Sequence, residues 1–310
     1  MRPLAVVGNV NVDLIMGPVR PWPAPGTESV VDHDEMRAGG AAGSVALAWR
    51  ALHAPFQIAA NVGSDQFGLF LKETFVGVSN LWPVADARTT ISLGLTHPDG
   101  ERTFFTTKGH LPVFDLQDAL SCIDSEQLRG GIVLLCGSFV MPRLMDAYDD
   151  FFSWARKNAV DVALDTGWPA GGWRKETVAK TKGWLAHCRH LLLNELEVAS
   201  LTGSSNAEEG ARILVEHMPQ SESVVVVKRG RQGALAYSRH GEVVNVPALE
   251  IVLADTIGAR DAFDAGYLVA VASGRGLAEA VRSGVETASA AISTVLRTYA
   301  PIDRHSEPLR

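Results

Sequence analysis

Short apolar runs, each closed by glycine or a polar residue, recur along the chain and alternate with longer helix-like stretches. The runs are Leu4–Val7 before Gly8, Phe56–Asn61 before Gly63, Gly131–Cys136, Val160–Leu164 before Asp165, His190–Leu193 before Asn194, and Ser223–Val227. Runs of this length between turn residues predict buried strands. Ala41–Leu52, a stretch starting over Gln66–Glu73, Met141–Asn158 and Ala207–His217 predict helices. Ala262–Ser273 and Leu277–Leu296 predict two more, rich in small residues. Strands alternating with helices predict a parallel sheet with helices on its faces.

Three stretches break this rhythm. Ser29–Met36 alternates less clearly and ends at Ala38-Gly39-Gly40. Thr89–Thr96 and Arg102–Thr107 flank His97-Pro98-Asp99-Gly100, which reads as a hairpin with a tight turn. Ala234–Ser238 and Glu242–Val246 predict a second hairpin. No internal repeat or linker interrupts the sequence. The pattern predicts a single α/β domain over residues 1–310, with a small β appendage drawn from about 14–36 and 86–110.

Composition narrows the partners. With 46% apolar and 20% charged residues the chain has the balance of an ordinary soluble globular protein. Its net charge of −7 argues against a nucleic-acid binder, which needs a basic field. Cys122, Cys136 and Cys188 are too few and too scattered for a disulfide framework and predict reduced, buried thiols in a cytoplasmic protein. The N-terminal MRPLAVVGNVNVDLIM has no long apolar core of a leader, and no segment is apolar enough to predict a membrane span.

The stretch DTIGARDAFDAG, residues 255–266, reads as a turn feeding a helix. Ligands of open α/β sheets bind beyond the carboxyl ends of the strands, where a helix N-terminus offers free N–H groups. Gly258 and Ala259 permit close approach, and Asp261 stands at the helix start. A carboxylate there either caps the helix or takes a proton from an attacking hydroxyl, and the loop alone does not separate the two. Four further stretches carry the same ambiguity. Asn9, Asn11 and Asp13 either bind hydroxyl groups or make turns. Gly39-Gly40-Ala41-Ala42-Gly43-Ser44 is a close-packed helix start or a ligand-facing one. Asn194 to Glu197 suits Mg²⁺ and its waters, or simply caps a helix. Lys228-Arg229-Gly230-Arg231 suits nucleotide phosphates, or is solvated charge.

In this order, these pieces resemble the ribokinase-like (PfkB) family of carbohydrate kinases over nearly the whole chain. The resemblance rests on VVGNVNVDL (5–13), GGAAGSVA (39–46), the G-x-D-x-x-G at Gly63–Gly68 and the segment Asp99–Phe104. It rests equally on the N-x-x-E at Asn194–Glu197, VVVVKRGRQGA (224–234) and the D-T-x-G-A-G-D-x-F-x-x-G pattern at 255–266. It implies a three-layer ribokinase-like α/β fold with a mostly parallel central sheet and a small β-sheet lid. It implies ATP-dependent phosphorylation of a hydroxyl on a sugar or nucleoside, with Mg²⁺ and, in some members, K⁺. Carried over, Asp261 is the general base, and the N–H groups of Gly258, Ala259 and Arg260 form the anion hole. Asn9, Asn11, Asp13, Gly39, Gly40 and Ser44 lie on the substrate side. Asn194, Lys228, Gly230 and Gly233 lie on the nucleotide side. Glu197 acts indirectly on Mg²⁺, Asp255 is the residue near a monovalent cation, and dimerisation through the lids is common. Two positions depart from the pattern: Arg260 stands where the motif has Gly, and Ser44 where it usually has Asn. Arg260 therefore also raises the alternative of a degenerate, weakly active or non-catalytic sugar- or nucleotide-binding member.

Overall fold

The apolar runs assemble into one central sheet in the computed structural model, which describes residues 1–98, 102–218 and 222–294. Its eight strands lie in the order Val243–Val246, Ala234–Ser238, Val224–Lys228, His190–Asn194, Asp161–Asp165, Ile132–Cys136, Leu4–Val7, Phe56–Ala59. The six from Val224–Lys228 to Phe56–Ala59 run parallel, and the two at the other end are antiparallel. Leu4–Val7, Ile132–Cys136 and Val224–Lys228 are buried at every residue, so both faces of the sheet are covered there. This is the expected environment of continuous apolar runs in a parallel sheet. The cysteines are free and buried, as the sequence predicts.

A second sheet of four strands has the order His33–Gly39, Asn11–Gly17, Ile91–Thr96, Arg102–Thr106. Asn11–Gly17 is a strand where the sequence pattern left turn residues open. It pairs antiparallel with His33–Gly39, which begins four residues later than the predicted Ser29 and continues to Gly39. The hairpin strands pair as expected, Thr96 opposite Arg102, while Asp99 and Gly100 of its turn lie outside the described residues. His110 ties the hairpin to the large sheet. Burial lowers its pKa to about 4, so the ring is neutral; Nδ1 accepts the Thr90 N–H, and Nε2 lies 3.2 Å from the Val10 carbonyl. The G-x-D-x-x-G segment has a similar structural duty. The Asp65 carboxylate caps the helix Gln66–Thr74 through the Gly68 N–H and accepts both the N–H and the hydroxyl of Thr89.

The helices differ from expectation in several places, among them the short unmarked helices Leu116–Ser121 and Ser125–Leu128 and the helix Ala259–Ala272, which starts three residues before the predicted Ala262. Met141–Asn158 is two helices, Pro142–Asp146 and Tyr148–Lys157, because the Ala147 N–H closes a tighter turn on Leu144 and the bend lets both Leu144 and Tyr148 bury. Lys175–Leu185 is a helix that the pattern did not mark. Its inner face is only Val178, Thr181, Trp184 and Leu185, too polar and too sparse to stand out. The last helix is Leu277–Ile292; residues 295 and 296 of the predicted range are outside the described part. No helix among the described residues is long and apolar enough to cross a membrane.

Candidate active site

The parallel strands deliver Gly137, Asp165, Asn194 and Lys228 to one edge of the large sheet. The helix Ala259–Ala272 begins at the same edge. Gly258 is its N-cap with φ +72°, a left-handed conformation that favours glycine. The first-turn N–H groups have no intrahelical acceptor and point outward, where the helix dipole favours an anion. Ala259 N–H makes only a long 3.3 Å bond to the Thr256 carbonyl. A cavity of about 500 Å³ opens over this turn, and its walls include Thr256 to Asp261, Asp165, Gly137 and, from the small sheet, Arg102 and Phe104.

Asp261 is not the helix cap, since that position belongs to Gly258 and no side chain bonds there. Its carboxyl is instead turned to the cavity and pushed up to about 7, by burial first and then by the Asp165 charge; Arg260, Lys228 and the Ser44 hydroxyl pull it back. A group with such a pKa takes and returns a proton near neutral pH.

Behind Asp261 lies a dense charge cluster. The Lys228 ammonium donates to Asp165 Oδ2 at 2.8 Å and to both Asp264 oxygens at 2.8 and 3.0 Å. The Arg260 guanidinium donates through one nitrogen to Asp165 Oδ1 and Glu197 Oε1, each at 2.8 Å. Burial works against charge throughout, yet Arg260 and Lys228 together hold the Asp165 carboxyl well below the usual range. Burial pushes Asp264 up, with Lys228 pulling back, and it pushes Glu197 up, with Asp165 adding and Arg260 opposing.

Between the first strand of the large sheet and the small sheet, three polar residues form a rail. Asn9 donates to Asn11 at 3.1 Å, and Asn11 donates to Asp13 at 2.7 Å and to the Ser92 hydroxyl at 3.3 Å. Gly39 and Gly40 pass so close that a Cβ on Gly39 would fall on the Asp13 carboxylate, and one on Gly40 on the Asn9 carbonyl. The structure thus brings Asn9, Asn11, Asp13, Gly39 and Gly40 together. Ser44 is buried and lines, with Asp13, a second cavity of about 510 Å³.

Asn194 and Glu197 form a reciprocal capping box on the helix Glu195–Thr202. Lys228 turns inward, 7% exposed, while Gly230 and Gly233 sit in the turn beyond its strand. Gly233 has φ +85°, and a Cβ there would strike the Val246 carbonyl, so the turn itself requires glycine. Asp255 accepts the Ile257 N–H and pairs with Arg37 of the small sheet at 2.7 Å. Trp173 packs edge-on against Phe139 and Trp168, while Asp165 and Gly167, earlier in the same loop, line the cavity. Arg37 and Asp264 were given no role by the sequence, Arg102 and Phe104 entered only as part of the hairpin, and Asp165 only as the polar residue closing a strand. Only Asp165, at a strand end, and Asp264, three residues beyond Asp261, carried a signal that spacing alone reveals.

Mg²⁺ does not fit the carboxylates offered. All four oxygens of Asp165 and Glu197 already accept from Gly167, Arg260, Lys228 or Asn194. Among the described residues no group of three or more His, Cys, Asp or Glu side chains is set to hold a metal.

Residues 1–302 match the model of the pfkB family carbohydrate kinases. The chain is 27% identical over 256 residues to a 1-phosphofructokinase of Haloferax volcanii, covering 81% of this chain and 78% of that protein. Among solved structures it resembles a ribokinase of Thermotoga maritima, with TM-score 0.75, 21% identity and coverage of 96% and 95%. It also resembles an adenosine kinase of Sinorhizobium meliloti, with TM-score 0.79, 17% identity and coverage of 96% and 97%. At such identities the structural likeness establishes a ribokinase-like α/β fold, with its large mostly parallel sheet and small second sheet.

Proposed function

The chain belongs to the pfkB family of carbohydrate kinases and is a phosphotransferase with an alcohol acceptor, and from this premise we propose how its own residues perform the transfer. The acceptor is a hydroxyl of a sugar or nucleoside held between the cavity under Arg102 and Phe104 and the neighbouring one lined by Asp13 and Ser44, whose hydroxyl bonds Asp261. Asp261 takes the hydroxyl proton as the oxygen attacks the terminal phosphorus of ATP. The bond to the bridging oxygen breaks, and ADP leaves. The first-turn N–H groups of Gly258, Ala259 and Arg260 receive the phosphoryl oxygens, as helix N-termini do for anions. The observation that carries this reading is the Asp261 carboxyl, on the cavity wall in the first turn of the helix with its pKa near 7.

The family implies ATP and a divalent metal. No step is assigned to a metal on Asp165 or Glu197, whose oxygens are taken. Asp255, the residue that the resemblance sets near a monovalent cation, pairs with Arg37 at 2.7 Å. The lid is the small sheet, and its exposed Met16, Met36 and Phe105 suit the homodimer implied by the resemblance.

Turnover of ATP, coupled to ADP detection, with a panel of sugars, sugar phosphates and nucleosides tests the proposal. At least one acceptor is expected to raise ADP release well above the rate without acceptor. One observation favours a second reading, binding without turnover: the Arg260 side chain stands on the cavity wall at the motif's Gly position. Folded protein that binds an acceptor yet turns over none would establish it.

The rail offers a separate check. Gly39→Ala forces the Asp13 carboxylate aside. The acceptor KM is expected to rise about tenfold or more, with ATP affinity unchanged, since small misplacements of a positioning group are costly. An unchanged acceptor KM would remove Asp13 from the substrate side.

A further inference from the structure

Glu197 is fully buried, and among the described residues its ion-pair partner is Arg260. Its second oxygen accepts only the Asn194 backbone N–H at 2.9 Å. A buried carboxylate with neutral donors alone is unfavourable, so a proton, a metal ion or a side-chain cation has to balance it. Lys228 is committed to Asp165 and Asp264. The balancing charge comes instead from the phosphate loop itself, through Arg260, which bridges Glu197 and Asp165 with one nitrogen. A guanidinium and a divalent ion cannot share those two oxygens, because they compete for the same lone pairs and repel one another.

We propose that Arg260 is the built-in cation of this site: its guanidinium takes the Asp165–Glu197 pair, excludes a divalent ion from it, and ties the phosphate loop to the strand ends. The protein without nucleotide then has no divalent-ion site there, and metal enters only on the nucleotide. This also gives the departure from the motif Gly a role, with the side chain held on carboxylates at the wall while the Arg260 N–H stays in the anion hole. The catalytic meaning rests on the kinase reading, whereas the charge exchange does not.

Mn²⁺ serves as the probe, with bound and free ion counted by electron paramagnetic resonance on nucleotide-free protein. Wild type is expected to bind no Mn²⁺ at millimolar ion. Arg260→Gly is expected to gain one ion per chain, and Arg260→Gly with Glu197→Gln to lose it again. Arg260→Lys, which keeps the charge, is expected to stay empty. Circular dichroism verifies folding, and Arg260→Ala replaces the glycine variant if that one does not fold. Mn²⁺ bound stoichiometrically by wild type and removed by Glu197→Gln overturns the proposal. So does a folded Arg260→Gly or Arg260→Ala that binds none. Neither ATP nor an acceptor is used, so an inactive kinase assay leaves this result standing.

Discussion

Asp261→Asn is expected to lower kcat by about a thousandfold, the usual worth of a general base, while affinities for nucleotide and acceptor stay close to wild type. The amide keeps the size and hydrogen-bonding capacity of the side chain but cannot accept the proton. Wild type should show an acid limb in kcat near pH 7, the pKa to which burial and Asp165 push this carboxyl. That limb should be missing from the residual rate of the variant. Stability should move the other way. The folded pKa lies above the ordinary 3.8, so ionising Asp261 costs folding free energy once pH passes the unfolded value, and the cost is complete above about 7. Asn has no such cost, so the variant should melt higher than wild type at about pH 8, with the gain fading toward about pH 4. Retained turnover in Asp261→Asn would transfer the base role elsewhere.

Lys228→Met is expected to be the most destabilising single change at the site. The ammonium is 7% exposed and neutralises Asp165 and Asp264, themselves 3% and 1% exposed. Methionine fills much of the space and leaves those carboxylates facing each other. Breaking a buried ion pair by removing one partner costs about 3–5 kcal/mol. Urea midpoints at neutral pH measure the loss. Adding Asp264→Asn should recover part of it, because it removes the charge that burial already disfavours. A midpoint within error of wild type would show that the cluster is not a stability element.

The parallel sheet was legible because its strands are continuous apolar runs, Val224–Lys228 above all, where every residue is buried and the pattern has one meaning. Gly258 and Asp261 were legible because helix-start chemistry is local. Asn11–Gly17 was not read as a strand because its polar Asn11 and Asp13 are buried along with Val12 and Ile15, so burial there does not follow the apolar–polar alternation that marks a strand. The charge cluster was out of reach for a different reason. Asp165 and Lys228 are 63 residues apart, and Arg260 meets Asp165 across 95. Composition cannot report which of many charges will be paired inside. Arg260 could be flagged as a departure from the motif, but the direction of its guanidinium is set by the strand ends.

Four carboxyl groups, those of Asp165, Glu197, Asp261 and Asp264, stand around the Arg260 and Lys228 cations. With all four ionised, the interior would carry uncompensated negative charge, and burial raises the pKa of Glu197, Asp261 and Asp264 accordingly. Two of these carboxyl groups, Asp165 and Asp261, line the cavity, so the charge of its wall depends on how tightly the buried neighbours Glu197 and Asp264 share Arg260 and Lys228.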